Sequence, residues 1–330
     1  MGCSAAVSSF TKNSRKDIRH LALKVSALIL ATGLSYLTLL GVCLRHVTGE
    51  RTYPAAQLDK IELLRKTPSP RLVFVGGSNL ALGVDSPLLS GVIGLPVVNM
   101  GLHAGLGLRY MLDCTTPLLR RGDLVVVVPE YEQFTGRTFD GGKELLRLFA
   151  FTLDRNIFWR VSPSILLEGN EMIFLWKGGA TASAVAAEGK EFLYTRDSFN
   201  RNGDVVSHLG RPNVPFKPAG RMNANLNQRA VSYLATFIEE QNRRRVTTIF
   251  VFPCLMTTYY QANRATISKI VIELQRRIPQ TRSIAPEEFV YDDRYFFDTE
   301  YHLNADGRKR RTEDMIEVLN RSVSQGFWRR

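Results

Sequence analysis

The stretch Arg71–Asp85, RLVFVGGSNLALGVD, decides how this chain is read. Leu72–Val75 is a run of four apolar residues, the length of a short buried strand, and two glycines close it. Directly after Gly76 and Gly77 comes Ser78, a small hydroxyl at the carboxyl end of the strand, where open α/β sheets hold their ligands. The glycines let the chain turn sharply and leave that hydroxyl unobstructed. The residues GGSN suit equally well a tight turn in which Ser78 caps the next helix, so the serine is judged by what else the chain carries.

Working outward, Pro96–Asn99 reads as a second short strand, Gly105–Arg120 as a helix and Leu124–Val128 as a third strand. Strands alternating with helices predict parallel pairing in a sheet covered on both faces. The pattern breaks between about 137 and 222. There Phe149, Phe151, Phe158, Trp159, Ile173, Phe174 and Trp176 stand in helix-like surroundings, ahead of the polar, Gly- and Pro-broken stretch Phe199–Gly220. This reads as an insertion whose aromatics form a small core of their own. Alternation resumes with an amphipathic helix (Leu226, Ala230, Leu234, Phe237, Ile238) and a strand, Val246–Phe252. A second amphipathic helix carries Tyr260, Asn263, Ile267, Ile270, Leu274 and Ile278, and a last one runs from about Ala305 to Val323, with Met315, Ile316 and Leu319 inward. The sheet is therefore expected from both ends of the chain, and the insertion does not divide two independent folds.

The 330 residues carry a net charge of +12. Residues 1–50 hold six basic residues against Asp17 and Glu50, and the other +8 belongs to the rest. Val25–Leu44 is 20 residues without a charge, the length a helix rising about 1.5 Å per residue needs to cross ~30 Å of hydrocarbon. Five basic residues precede it and only Arg45 follows closely, so the positive-inside bias expects a cytoplasmic N-terminus and an extracytoplasmic remainder. The expected layout is a basic cytoplasmic segment 1–24, an anchor 25–44, a juxtamembrane linker 45–70 and a domain 71–330. The run is long for a cleaved signal peptide. Val42 before Cys43 departs from a lipobox, and Ala6 departs from an N-terminal acylation signal. An uncleaved anchor in the inner (cytoplasmic) membrane is the expectation, and that topology argues against a nucleic-acid partner. In the outer domain Cys114 and Cys254 would be free to pair or not. Cysteine and histidine spacing gives no reason to invoke a metal or nucleotide cofactor.

A serine hydroxyl is a poor nucleophile until a base takes its proton. Of five histidines, His20 and His46 flank the apolar run, His208 lies in the insertion and His103 follows the second strand. His302 stands in FFDTEYHLNADG, four residues after Asp298, so one short loop can present both a base and the carboxylate that orients it.

Gly77-Ser78 after the first strand, Asn99-Met100-Gly101 after the second, and Asp298 before His302-Leu303-Asn304 together resemble the SGNH or GDSL-type superfamily of esterases and acyltransferases. The resemblance covers residues 70–135 and 245–325. It implies a flavodoxin-like three-layer α/β/α sandwich with a central parallel sheet, preceded here by one transmembrane helix. It also implies Ser78 as nucleophile, His302 as base and then acid, and Asp298 as the orienting carboxylate, with Asp293 and Glu300 as alternatives. Gly77, Asn79, Asn99, His103, Gly105 and Glu130 would line the oxyanion and substrate side, with the N–H groups of Ser78 and Gly105 facing the oxyanion.

The motif departs from the family at three points: Gly77-Ser78-Asn79 replaces Gly-Asp-Ser, Asp298 is one residue farther from its histidine, and the third strand ends in VVVVPEYEQF. Hydrolases of the superfamily carry there an Asn whose side chain completes the oxyanion hole; Glu130 and Glu132 cannot donate while ionised. Losing one such donor costs about 3 kcal/mol of transition-state stabilisation. This suits an enzyme that receives an activated acyl group from a partner. Membrane-anchored relatives act in that way on envelope polysaccharides or teichoic acids, commonly beside a membrane-bound O-acyltransferase. The expectation is an anchored extracytoplasmic acyltransferase, using no cofactor, that moves an acetyl-like group to an exopolysaccharide. A carbohydrate esterase and a non-catalytic accessory protein of polysaccharide synthesis are the alternatives.

Overall fold

The computed structural model describes residues 3–47, 51–152, 157, 193–279, 281 and 284–324. Phe158, Trp159, Ile173, Phe174 and Trp176, expected to form a core within the insertion, lie outside the described residues.

The chain is α/β with a central parallel sheet. Strands β1 (Leu72–Gly76), β2 (Val97–Asn99), β3 (Leu124–Val128) and β4 (Thr247–Phe250) stand in the order β2-β1-β3-β4, all pairs parallel. Every residue of β1, β2 and β3 is buried, as parallel strands covered on both faces must be. In register, Leu72 pairs with Val97 on one side and Leu124 on the other, so β1 is interior to the sheet. A small second sheet pairs β5 (Leu255–Met256) with β6 (Val290–Tyr291), also in parallel.

Helices α2 (Ala56–Lys66), α3 (Ser78–Ala81), α4 (Ser86–Ile93), α5 (Leu108–Thr115) and α6 (Lys143–Thr152) accompany the first three strands. Helices α7 (Gln228–Arg243), α8 (Thr257–Arg277) and α9 (Ala305–Ser324) accompany the later ones. Their ends follow local chemistry. Asp85 caps α4 by accepting from the Leu88 N–H at 3.1 Å, and Gly94, at φ 71°, closes it in the left-handed conformation that glycine adopts without penalty. Asn227 caps α7 in the same way through the Ala230 N–H. The helix expected over Gly105–Arg120 is shorter, because Gly107 at φ 81° interrupts it before Leu108 and a 3₁₀ turn containing Pro117 ends it. On α9, Met315 and Leu319 are buried and Ile316 is half-buried.

At the amino edge of the sheet the starts of β1 and β3 are tied by a fully buried Arg71–Asp123 ion pair of 3.1 Å, and Arg71 also donates to the carbonyls of Thr67 and Leu118. A buried charge is tolerated only when its donors are satisfied in this manner. That edge is structural. The opposite, carboxyl edge carries the polar residues taken up below.

N-terminal to all of this, α1 (Cys3–Val47) runs past both ends of the expected anchor, with a 26-residue stretch, Asp17–Val42, apolar and long enough to cross a membrane. Of its described side chains only Leu40 is buried, and its neighbour is α6. Neither Cys114 nor Cys254 is in a disulfide: the first lies on α5, with Sγ donating to the Met111 carbonyl, and the second is buried after β4, donating to the Tyr301 carbonyl.

Candidate active site

From Arg71 to Val84 every residue is buried except Ser78. The apolar strand sinks its own side chains, and the glycine pair brings the chain out for one residue before α3 turns back inward. Ser78 is the first residue of α3, so its N–H has no carbonyl one turn behind it within the helix. The loop after β2 packs against this turn: a Cβ on Gly101 would lie 2.8 Å from the Gly77 carbonyl oxygen and 2.6 Å from Cβ of Leu80. The first residues after β3 pack on its other side, where Glu130 is 2% exposed. Glu130 Oε1 accepts the Asn79 N–H at 3.2 Å, whereas Oε2 is buried without a hydrogen-bond partner among the described residues.

The loop Asp298–His302 docks on the same edge. Tyr301 donates its hydroxyl to Glu132 just beyond β3, Cys254 donates to the Tyr301 carbonyl, and the Met256 N–H donates to the Glu300 carbonyl. Within the loop, His302 Nδ1 lies 2.7 Å from Oδ1 of Asp298, whose side chain is almost wholly buried. The chain places the two residues four apart, and the Thr299 hydroxyl accepts the His302 N–H at 3.2 Å, holding the intervening turn. The alternatives fall elsewhere: Asp293 Oδ1 accepts the Thr258 N–H, and the Glu300 carboxylate faces the Ala219 N–H. Asp298 is therefore the carboxylate on His302. Among the described residues no hydrogen bond joins Ser78 to His302.

Four expected contacts come out differently. Asn79 is fully buried, with Nδ2 on the Val128 carbonyl and its N–H on Glu130, so neither group faces the site. Asn99 is fully buried as well. Its Nδ2 donates to the Leu80 carbonyl and to Asp204, and its Oδ1 accepts the Gly101 N–H, so it braces the loop after β2. Gly77 gives room to Glu130: any Cβ there would overlap the carboxylate. The Gly105 N–H, expected to face an oxyanion, donates to His103 Nδ1 at 2.9 Å.

That last bond decides the state of His103. An Nδ1 that accepts a hydrogen bond carries no proton, so the ring is neutral with Nε2–H as donor. Burial holds its pKa below the ordinary histidine value, against the opposing pull of the Glu144 charge and with a further push down from His302. Glu132, which accepts from Tyr301 at 2.7 Å and Tyr259 at 3.0 Å, has its carboxyl pKa raised chiefly by burial. Tyr53, whose hydroxyl donates to the Leu102 carbonyl, has its phenol pushed up by burial and then by the charges of Glu130 and Asp298. It thus feels the carboxylate under the Ser78 turn and the one behind His302.

One participant was not singled out from the sequence. Tyr194, in the 193–205 segment, donates its hydroxyl to Asp298 Oδ2 at 2.6 Å and lies 3.0 Å from His302 Nδ1. Nothing in its polar, non-periodic surroundings marks it.

No family model matches the chain, and comparison with curated proteins finds no match either.

Proposed function

We propose that the protein is a membrane-anchored, extracytoplasmic acyltransferase of SGNH type, with a flavodoxin-like sandwich behind its parallel sheet, that passes an acyl group, acetyl in the simplest case, from Ser78 to a hydroxyl of an envelope polysaccharide. The observation that carries this reading is the 2.7 Å Asp298–His302 hydrogen bond on the same carboxyl edge as Ser78, the one residue between Arg71 and Val84 that reaches solvent. The strand order β2-β1-β3-β4 supports the fold reading, because a doubly wound sheet binds at the carboxyl ends of its strands.

In this mechanism Ser78 Oγ attacks the acyl carbonyl while Nε2 of His302 takes the hydroxyl proton, and Asp298 stabilises the imidazolium. The same proton then goes to the leaving group of the donor, and the acyl group stays on Oγ. In the second half Nε2 takes the proton of the acceptor sugar hydroxyl, whose oxygen attacks the acyl carbon, and Ser78 leaves with the proton. The Ser78 N–H and the Nε2–H of His103 are the donors offered to the oxyanion. The segment 51–56, directly after α1, packs on the site through Tyr53. That supports delivery of the acyl group at the membrane surface, from a membrane-bound O-acyltransferase or an equivalent donor.

The test is intact mass spectrometry of the full chain in detergent, wild type and Ser78→Ala, after incubation with an activated acyl ester. An adduct on the wild type alone is expected, discharged on adding a polysaccharide acceptor. Hydrolysis to water with no acceptor product would move the reading to a carbohydrate esterase. The second reading, a non-catalytic accessory protein, is favoured by one observation: a carboxylate, Glu130, stands beneath the Ser78 turn in place of an oxyanion donor. It prevails if a folded wild-type sample takes up neither the ester nor a serine-directed fluorophosphonate.

A further inference from the structure

Tyr194 reaches Asp298 from 104 residues away, and contacts of its ring and of the next two residues hold it there. Its ring meets that of Tyr53 edge-on, with centroids 5.5 Å apart. The next residue, Thr195, forms an antiparallel bridge with Thr52, and the Arg196 N–H donates to the Arg51 carbonyl at 2.9 Å. The Arg196 guanidinium closes a two-pronged pair with Asp59 of α2, both contacts 2.6 Å. The strand-like pairing of 51–52 with 195–196 therefore fixes the backbone from which Tyr194 projects, and Tyr53 fixes its ring.

At its tip the geometry is that of a relay with one proton arrangement. Asp298 has two carboxylate oxygens: Oδ1 faces His302 Nδ1 and Oδ2 accepts the Tyr194 hydroxyl proton. With that proton committed to Asp298, the lone pairs of the Tyr194 oxygen are left for Nδ1, 3.0 Å away. Two acceptors then face the same ring nitrogen. Both favour the proton on Nδ1, which leaves Nε2 bare, as a general base requires. The phenol itself stays protonated, since burial and then the Asp298 charge push its pKa far up.

We propose that Tyr194 is a positioning residue for the His302 base: it locks the Asp298 carboxylate and the imidazole tautomer, and it ties both to the chain that leaves the membrane helix. The consequence for turnover rests on the acyl-transfer reading. The consequence for the imidazole does not.

The experiment uses the full chain in detergent, labelled with ¹⁵N-histidine, as wild type and Tyr194→Phe, with His302→Gln to assign the His302 ring signals and Ser78→Ala as the inactive control. Phe keeps the ring packed on Tyr53, and a single cooperative unfolding transition at a modestly lower melting temperature shows that the fold is kept while the hydroxyl is lost. Tyr194→Phe is expected to lower kcat about tenfold, with KM unchanged, because the hydroxyl acts on the base and not on substrate binding. The acid limb of the pH profile should move, because the hydroxyl that donates to Asp298 and faces His302 Nδ1 is gone. The ring-nitrogen shifts should show a mixture of tautomers in place of a single Nδ1–H form. If wild type and Tyr194→Phe share kcat, pH profile and ring shifts while Ser78→Ala abolishes turnover, the acyl-transfer reading stands and the Tyr194 role is overturned. If no turnover is found but the ring shifts change in Tyr194→Phe, the positioning role stands and the acyl-transfer reading falls.

Discussion

Gly77 and Glu130 share one small volume: a Cβ on Gly77 would overlap the Glu130 carboxylate. The Gly77 backbone, at φ −94° and ψ −150°, is open to any residue, so glycine is required there for space and not for conformation. The turn after β1 and the first residues after β3 are thereby interlocked, and Ser78 stands on that joint.

Gly77→Ala should destabilise the protein by about 1–3 kcal/mol, the range for forcing a methyl into a filled interior. Glu130→Ala removes the acceptor of the Asn79 N–H but empties the space, so the double variant should be more stable than the sum of the singles predicts. Urea unfolding of the four proteins gives the coupling, and a value within ~0.5 kcal/mol of zero would mean the two residues are independent.

Glu130→Gln keeps an oxygen for the Asn79 N–H and replaces the unpartnered Oε2 with an amide donor. It also removes a negative charge from beneath the turn that carries Ser78, the proposed nucleophile. Turnover of a soluble chromogenic ester should rise about tenfold, equivalent to ~1.4 kcal/mol of barrier. A fall would mean that the carboxylate itself contributes to the reaction.

Asp204 is fully buried and accepts from the Ser86 N–H and hydroxyl, Asn99 Nδ2, Asn200 Nδ2 and Arg308. One carboxylate thus ties the 200–205 turn to α4, to the end of β2 and to α9. Asp204→Ala removes the nearer carboxylate of the buried Arg308, leaving it the Val84 carbonyl and Asp85 at 3.8 Å, and should cost about 3 kcal/mol. Thermal and denaturant unfolding would both register it, and a loss under 1 kcal/mol would show that the other contacts carry the turn.

Lys60 is 2% exposed and donates to the carbonyls of Asn99 and Gly203, and burial lowers its pKa to about 7 against the weaker opposing pull of Asp204. Between about pH 7 and 10 the unfolded chain therefore binds a proton here that the folded chain does not. Stability from this residue rises with pH across that window, by up to ~1.4 kcal/mol per pH unit. Below pH 7 both states are protonated, and its contribution is flat at its least favourable. The difference in unfolding free energy between wild type and Lys60→Met, followed from pH 6 to 9, isolates this slope from other groups; parallel curves would rule it out.

What the sequence determined by itself is whatever short-range chemistry suffices to specify. β1 and β3 are legible because a strand buried on both faces is an unbroken apolar run, and β2 is short but bounded by Pro96 and Gly101. The Asp298–His302 pair is legible because both partners lie in one turn, and Ser78 because two glycines isolate it from an apolar strand. The tertiary structure decided which polar groups remain for chemistry. Asn79 and Gly105 were reasonable donors in sequence, but their N–H groups are used by Glu130, 51 residues away, and by the His103 ring turned back on its own loop. Tyr194 joins Asp298 only because the chain leaving α1 pairs with residues 195–196. A hydrogen-bonding group can satisfy one geometry at a time, and which partner it meets depends on contacts between segments that no local pattern records.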